Sequence, residues 1–291
     1  KRCVWRRMNI FRKRISVRWN FREIRDIYIR SIRTVRSVTY VRPVRKETKM
    51  RILIIRHADP DYEKDSLTSR GWKEAELLAE RLSGETFRNI YVSPLGRAKD
   101  TASFTLRKHD MEAKECQWLR EFAPRIHRFE AEPDSIVWDW LPQDWTKIRE
   151  FYDKDAWTSH KSMEDGQVAK EYDWVVSSFD EVLFRHGYER DGSYYLVRQG
   201  NEDTIAFFCH FGLECVLLSH LLNVSPMVLW HGVCAAPSSV TTLVTEERRQ
   251  GTAIFRMGSF GDVTHLLMAG EQPSFSARFC ERFENAHQRH D

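Results

Sequence analysis

Two short apolar runs that each end at a histidine constrain the fold of this chain more than any other feature. The run RILII at 51–55 precedes Arg56 and His57, and the run TIAFFC at 204–209 precedes His210. Continuous apolar runs of this length are typical of strands buried on both faces of a parallel sheet. Because ligands bind beyond the carboxyl ends of such strands, we expect the two histidines to face one another at one site.

Helical patterns alternate with these strands. The segment LTSRGWKEAELLAERLSG places an apolar stripe on one helical face and ends at Gly84. A second short strand is predicted at NIYVSP, 89–94. Its last two residues, Ser93 and Pro94, are expected to open the next helix as N-cap and first-turn proline. A further helix is predicted from about Leu213 to Leu222. The stripe of the first helix consists of Trp72, Ala75, Leu78, Ala79 and Leu82.

Two late strands, VTTLVTE and TAIFRMG, are predicted to form a hairpin across ERRQG. Together with the earlier alternation they predict an α/β fold. We expect a three-layer sandwich with a mostly parallel sheet and helices on both faces.

The first 49 residues differ chemically from the rest of the chain. They hold 17 lysines and arginines against three acidic residues, whereas the remainder holds 29 basic and 39 acidic residues. Three interpretations stand: a translated leader that is not native protein, a basic arm that binds nucleic acid, or a targeting segment. We expect the first, a non-native or disordered extension before a domain that starts at Met50. Nucleic acid is then a partner only if residues 1–49 are native.

Residues 50–291 are predicted to form one domain that contains an insert. The strand–helix alternation fails at about 123–200, where the chain is polar and helix-prone. We expect this stretch to be a helical cap insert. Its tryptophans would either form the insert's own core or line a pocket above the site. They are Trp138, Trp140, Trp145, Trp157 and Trp174.

Composition excludes several classes of protein. Hydrophobic residues at 42% and charged residues at 30% are typical of a globular protein. The six cysteines show no CxxC spacing, which argues against a structural zinc site and a disulfide framework and favours a cytoplasmic location. No apolar run approaches the roughly 18 residues that a spanning helix needs, so we expect no membrane partner. The sequence leaves the oligomeric state open.

Positive groups surround the expected site. Arg56 adjoins His57, and Arg97 falls in the first turn of the helix that follows Ser93. The free N–H groups of a helix N-terminus favour an anion. Since guanidinium groups match phosphate oxygens bidentately, two arginines, two histidines and a helix start suit a dianionic phosphoryl group.

A metal cluster of His57, Asp59 and Asp61 is the alternative interpretation of the first strand end. The adjacent arginine would repel a cation, so we expect no metal, and arginines supply the positive charge instead. His265 is expected to be structural and to pack the last strand.

These motifs resemble the histidine phosphatase superfamily, the phosphoglycerate-mutase-like proteins. RHADP stands in place of the family's Arg-His-Gly signature, LTSRGWKEAELLAERL is similar to its Leu-Thr-x-x-Gly helix, SPLGRAKDTA to its second motif and CHFG to its second-histidine motif. GDVTHL is similar to a common closing segment. Together these motifs span residues 51 to 266, apart from the insert. Ala58 replaces the usual glycine, and DPDYEKD lacks the asparagine-containing segment that phosphoglycerate mutases carry there.

The resemblance implies a role for each matched residue. His57 would attack phosphorus and form a phosphohistidine, while Arg56, Arg97 and His210 would hold the phosphoryl oxygens. A carboxylate after the second motif acts as acid and base in this family, and WLREF places Glu121 at that position. The fallback candidates for the same role are Glu115 and Glu130.

The function that follows is a cytoplasmic phosphomonoesterase of the histidine acid-type, without a cofactor, that acts on a small phosphorylated metabolite. A phosphoglycerate-type phosphomutase is the alternative within the enzymes, and the missing asparagine-containing segment disfavours it. From a different class, the chain would be a catalytically weak protein that binds a phosphorylated ligand or acts as a scaffold. The sequence does not identify the substrate.

Overall fold

The computed structural model describes residues 49–128 and 135–274, and these belong to one unit of the chain. The basic extension predicted for residues 1–49 therefore lies, apart from Lys49, outside the described residues.

A mixed central sheet organises the described part of the chain. Its strands are β1 Arg51–Arg56, β2 Phe87–Val92, β3 Lys114–Glu115, β4 Tyr188–Asp191, β5 Tyr194–Val197, β6 Thr204–Cys209, β7 Val240–Arg249 and β8 Thr252–Asp262. Their spatial order is β3-β2-β6-β1-β7-β8-β5-β4. The neighbours β1, β6, β2 and β3 are parallel, whereas β7, β8, β5 and β4 continue the sheet in antiparallel pairs.

Helices connect most of these strands. They are α1 Ser69–Leu82, α2 Gly96–His109, α3 Pro142–Trp145, α4 Lys161–Asp165, α5 Val168–Arg185, α6 Phe211–Leu222, α7 Pro226–Gly232 and α8 Thr264–Met268, with 3-10 turns at Gln117–Leu119, Arg149–Tyr152 and Trp157–Ser159. Within the described ranges, none of them combines the length and apolarity needed to cross a bilayer.

Two apolar clusters lie on opposite faces of the sheet, because successive side chains of a strand point to opposite sides. Ile52 and Ile54 of β1 join the larger cluster, which includes α5 and α6. Leu53 and Ile55 join the smaller one, which includes α1 and α2. The central strands are therefore buried on both faces, and the predicted α/β fold with helices on both faces is confirmed.

The first predicted helix is present with small differences at its ends. Thr68 is the N-cap, and its side chain accepts a hydrogen bond from the Gly71 amide. The helix ends at Leu82 with Ser83 as C-cap, one residue before the predicted stop. Trp72 was wrongly assigned to the buried stripe: it is 37% exposed and packs edge-on against Phe104 of α2.

The interval predicted as a cap insert, 123–200, contains two kinds of structure. Residues 129–134 of this interval lie outside the described residues. The rest of its first part consists of two paired two-residue strands, Arg125–Ile126 and Ser135–Ile136, and of short helices and turns, with Phe151 and Trp157 buried among other aromatic side chains. From Val168 onward the chain forms α5 and then β4 and β5, which extend the central sheet at one edge. Trp140 and Trp157 pack into the main apolar cluster, whereas Trp174 is exposed at the surface.

Candidate active site

His57 follows directly on β1 and is buried, with 2% of its surface exposed. Its backbone amide donates to the Cys209 carbonyl at 2.9 Å, which fixes the end of β1 beside the end of β6. The ring Nδ1 lies 2.8 Å from the Ala58 carbonyl oxygen. A carbonyl oxygen only accepts hydrogen bonds, so Nδ1 carries the proton and Nε2 of the neutral ring presents a lone pair.

His210 follows β6 and meets His57, as the two strand ends predicted. The ring centroids are 5.1 Å apart and the ring planes make an angle of 55°. Nε2 of His210 shares a hydrogen bond of 2.8 Å with the Ser93 hydroxyl. Its Nδ1 is buried and has no hydrogen-bond partner in the described part of the chain.

The assignment of Ser93 as the N-cap of the second helix is wrong. α2 begins at Gly96, with Leu95 as N-cap. The Ser93 hydroxyl is engaged with His210, and the first turn of α2 is instead capped from a distant loop. There the Asp65 carboxylate accepts a hydrogen bond of 2.6 Å from the Gly96 amide.

Two arginines flank the histidine pair. Arg56 is buried at the end of β1, donates through Nη1 to the Ala235 carbonyl, and lies with its guanidinium carbon 5.7 Å from the Phe211 ring centroid. Arg97 stands in the first turn of α2, and its Nη1 donates to the Asp65 carboxylate at 2.6 Å. Both arginines contribute to the field at His57 and His210, which places them at the same site.

Burial and positive charge hold both histidines in the neutral form. Desolvation lowers the pKa of His57 well below its ordinary value, and the neighbouring Arg56 charge lowers it further. Desolvation also lowers the pKa of His210 well below the ordinary value, with the nearby His57 as the next cause. A neutral imidazole with a free Nε2 is the form that can attack an electrophile.

Glu121 lies at the same site, close to the start of α6. Its Oε1 accepts hydrogen bonds from the Phe122 amide at 2.9 Å and the Leu213 amide at 3.0 Å. Burial raises the pKa of Glu121, while the Arg56 charge and the two amide donors partly oppose that rise. A carboxyl with a raised pKa next to two arginines can donate a proton to a leaving oxygen and later take one from water.

Two other acidic residues, Glu115 and Glu130, were candidates for the same role. Glu115 is exposed and its carboxylate pairs with Lys99 at 2.5 Å, on the edge strand β3. Glu130 lies outside the described residues.

The aspartates that follow His57 are engaged with other side chains. Asp59 accepts hydrogen bonds from the Thr68 and Ser274 hydroxyls, and Asp61 pairs with Lys64 at 2.7 Å. Among the described residues, no three or more His, Cys, Asp or Glu side chains are grouped in a way that could hold a metal ion.

His265 lies in α8 and is linked to the backbone of His57 through Ser238, whose amide donates to the His57 carbonyl at 3.0 Å. Its Nε2 shares a hydrogen bond of 3.1 Å with the Ser238 hydroxyl, and its Nδ1 lies 3.4 Å from Nη1 of Arg81.

Several residues of the site were not singled out by the sequence. Asp65 orients Arg97, and the Tyr62 ring lies 5.4 Å from the guanidinium carbon of Arg97. At Gly212 a Cβ atom would lie 2.5 Å from Nε1 of Trp138 and 2.7 Å from Oε1 of Glu121, so any other residue there would displace these two side chains. The sequence signal for Gly212 was present in CHFG, but nothing in the sequence connects it with Trp138.

A cavity of about 690 Å³ adjoins Glu121. Its walls come from the segment around Glu121 and from the start of α5. Arg120 lies over the Trp174 ring at 5.1 Å and pairs with Glu171 at 2.9 Å. Lys170, on the same wall, has no ion-pair partner within the described ranges. A cavity of this size can hold a small metabolite.

Solved structures similar to this chain include the phosphoserine phosphatase of Entamoeba histolytica in complex with 3-phosphoglyceric acid, at 17% identity over 75% of this chain and 99% of that one, with a TM-score of 0.48. A mycobacterial glucosyl-3-phosphoglycerate phosphatase matches at 16% identity over 73% and 99%, with a TM-score of 0.46. The phosphoglycerate mutase of Bacillus anthracis str. Sterne matches at 18% identity over 77% and 97%, with a TM-score of 0.49.

No curated protein matches the chain. The sequence model of branch 1 of the histidine phosphatase superfamily, in contrast, matches residues 52–256. That interval covers more than half of the chain and includes both strand-end histidines, the second motif and Glu121. The chain therefore belongs to the histidine phosphatase superfamily.

Proposed function

We propose that this protein is a phosphomonoesterase that hydrolyses a phosphorylated metabolite through a phosphohistidine on His57. The observation that carries the proposal is the hydrogen bond from Nδ1 of His57 to the Ala58 carbonyl, which leaves Nε2 free beside His210 and two arginines. Superfamily membership supports phosphoryl chemistry in general.

In the first step, Nε2 of His57 attacks phosphorus in line with the ester oxygen. The N–P bond forms as the P–O bond breaks, and the electron pair of that bond goes to the leaving oxygen. Glu121 donates a proton to this oxygen, so the product leaves as a neutral alcohol. Arg56, Arg97 and His210 bind the remaining phosphoryl oxygens and stabilise the charge of the transition state.

In the second step, water attacks the phosphohistidine from the side that the alcohol has left. The Glu121 carboxylate takes a proton from this water, the N–P bond breaks, and its electron pair returns to Nε2. Inorganic phosphate then leaves and both residues are restored. The raised pKa of Glu121 supports the proton-donating role.

The organic part of the substrate would lie in the cavity beside Glu121. Glu121 must reach the ester oxygen, so the alcohol part of the substrate would lie next to Glu121. The cavity borders Glu121 and has room for a small metabolite.

Turnover of an aryl phosphate by the wild type and by His57→Ala tests the proposal. We expect the wild type to be active and the variant to be inactive. A phosphoenzyme should be trapped only in the wild type, when the reaction is stopped without acid, because the N–P bond of phosphohistidine is labile in acid. His109→Ala, in which a histidine of α2 distant from the site is removed, is the matched control and should keep wild-type activity.

Two results would contradict the proposal in different ways. If wild type and His57→Ala are equally inactive while phosphate analogues bind, the protein is a binding protein and not an enzyme. Activity that persists in His57→Ala would exclude the phosphohistidine mechanism.

A further inference from the structure

Glu214 is a buried acidic residue that the proposed mechanism does not use. It lies in the first turn of α6, with 1% of its surface exposed. Its backbone amide donates to the His210 carbonyl at 2.8 Å, so it is attached to the same helix start as the second histidine. A carboxyl is almost never fully buried unless a partner compensates for the loss of water.

The groups that face Glu214 come from several elements. Arg56 of β1 lies against the ring of Phe211, and Glu121 accepts a hydrogen bond from the Leu213 amide, so both meet the helix turn that holds Glu214. The charges of Arg56 and Glu121 act on the Glu214 carboxyl, as does the hydroxyl of Thr241 from β7. Cys209 of β6 and Cys215 of α6 also lie within its electrostatic reach, and burial raises the pKa of both thiols well above the ordinary value, so they are uncharged. Arg56 is therefore the positive charge that both Glu214 and Glu121 face.

The carboxyl of Glu214 is poorly compensated. The Thr241 hydroxyl faces it, yet neither carboxyl oxygen makes a well-formed hydrogen bond in the described part of the chain. Burial raises the pKa of Glu214 to about 7, against the opposing effects of Thr241 and Arg56. The group therefore exchanges its proton near neutrality.

We propose that Glu214 is a positioning residue that couples anion binding at Arg56 to the uptake of one proton. When the phosphate site is empty, the Glu214 carboxylate balances the charge of the Arg56 guanidinium. When a phosphoryl group binds, the carboxyl takes a proton from solvent, and the full charge of Arg56 acts on the substrate. The proton returns to solvent when phosphate leaves. This inference rests on the proposed role of Arg56 in phosphate binding.

The sign of the pH dependence follows from this competition. A bound anion next to Arg56 favours the uncharged form of Glu214, so by linkage protonation of Glu214 favours the anion. Anion affinity is then highest below neutrality and falls as the pH rises through about 7. For one linked proton, the dissociation constant rises by at most about tenfold per pH unit.

Calorimetry of sulfate binding tests the coupling. Sulfate is the probe because its own charge is constant near neutral pH, so any proton taken up belongs to the protein. Titration at pH 7.5, in two buffers of different ionisation enthalpy, gives the number of protons taken up per sulfate. We expect Glu214→Gln, which keeps the shape of the side chain, to take up about one proton fewer than the wild type.

Glu74→Gln is the matched control. Glu74 is also a buried carboxyl whose pKa burial raises to about 7, but the groups that face it are Asp59 and Arg70. This variant should keep the proton uptake of the wild type. Glu121→Gln shows which of the two carboxyls that face Arg56 takes up the proton, and this variant should retain the proton uptake that is centred near pH 7. If Glu214→Gln does not fold, the result with Glu121→Gln still tests the inference.

The outcomes distinguish this inference from the proposed function. Sulfate that binds with the same proton uptake in the wild type and Glu214→Gln would overturn the inference and leave the phosphatase proposal intact. Loss of the uptake in Glu121→Gln would assign the proton to Glu121 and would likewise overturn it. Failure of sulfate to bind the wild type would contradict the phosphate site itself.

Discussion

The Ala58 carbonyl determines which ring nitrogen of His57 carries the proton. The sequence points to His57 because an apolar run ends there and because the motif is similar to that of a known family. It does not indicate the tautomer, since the donor is a ring nitrogen and the acceptor is the carbonyl of the next residue. Only the backbone conformation after β1 decides that contact.

Glu121→Gln tests the proposed role of Glu121 as the acid and base of the reaction. An amide keeps the shape of the side chain but can neither donate nor accept the proton at the ester oxygen. We expect kcat for alkyl phosphates to fall by roughly 10²–10⁴-fold, which is the usual effect of losing a general acid–base group. For an aryl phosphate with a good leaving group, the first step needs little proton donation, so phosphoenzyme should form and accumulate.

Burst kinetics with the two substrates measure this difference. An equal loss of phosphoenzyme formation with both substrates would mean that Glu121 positions the substrate and does not transfer a proton. Glu115→Gln, on the exposed edge strand β3, is the control. It should leave phosphoenzyme formation and turnover unchanged with both substrates.

At the scale of elements, buried strands were easier to predict from the sequence than helix ends. β1 and β6 were recognised because central parallel strands must be apolar at every position. The start of α2 was missed because its cap is Asp65, 31 positions before Gly96. The sequence also could not show that β4 and β5 join the central sheet, since β8, the strand that pairs with β5, comes much later in the chain.

Gly212→Ala tests the contact between α6 and the segment that contains Glu121. The added Cβ would lie 2.7 Å from Oε1 of Glu121 and 2.5 Å from Nε1 of Trp138, so these side chains must move. Displacement of the acid by about 1 Å can reduce kcat by about 10²-fold, and overpacking costs about 1–3 kcal/mol of stability. Steady-state kinetics and urea unfolding measure the two effects.

Gly232→Ala is the matched control for this substitution. Gly232 ends α7, and a Cβ atom there would have no heavy atom within 4 Å. Its kinetics and stability should equal those of the wild type. If Gly212→Ala behaves in the same way, the close approach of Glu121 to the start of α6 has no functional importance.

At the scale of the whole molecule, buried titratable groups make stability depend on pH in opposite directions. Burial lowers the pKa of His265 to about 4, with a smaller contribution from the Arg81 charge. Burial raises the pKa of Glu74 and of Glu214 to about 7. As the pH falls from 7, the two carboxyls take up protons in the folded state, which stabilises the fold. His265 has the opposite effect, because in acid it takes up a proton more readily in the unfolded state than in the folded state.

His265→Gln removes the contribution of His265 to the loss of folding stability in acid. A histidine with a lowered pKa stabilises the fold above its unfolded pKa, near 6.5, and this stability is lost as the pH falls through about 4. We expect the wild type to lose up to about 3 kcal/mol relative to the variant between pH 7 and pH 4. Urea unfolding at a series of pH values measures the difference, with His109→Gln as control. A constant difference across this range would exclude His265 as an acid-sensitive group.

The two ends of the central sheet affect how copies of this protein behave at high concentration. β3 is two residues long, and β4 carries Glu189, Arg190 and Asp191 in succession. Short and charged edge strands present few free backbone groups to a second chain, so edge-to-edge pairing of separate sheets is disfavoured. Within the described part of the chain, the large apolar sheet is thus bounded by strands that resist aggregation.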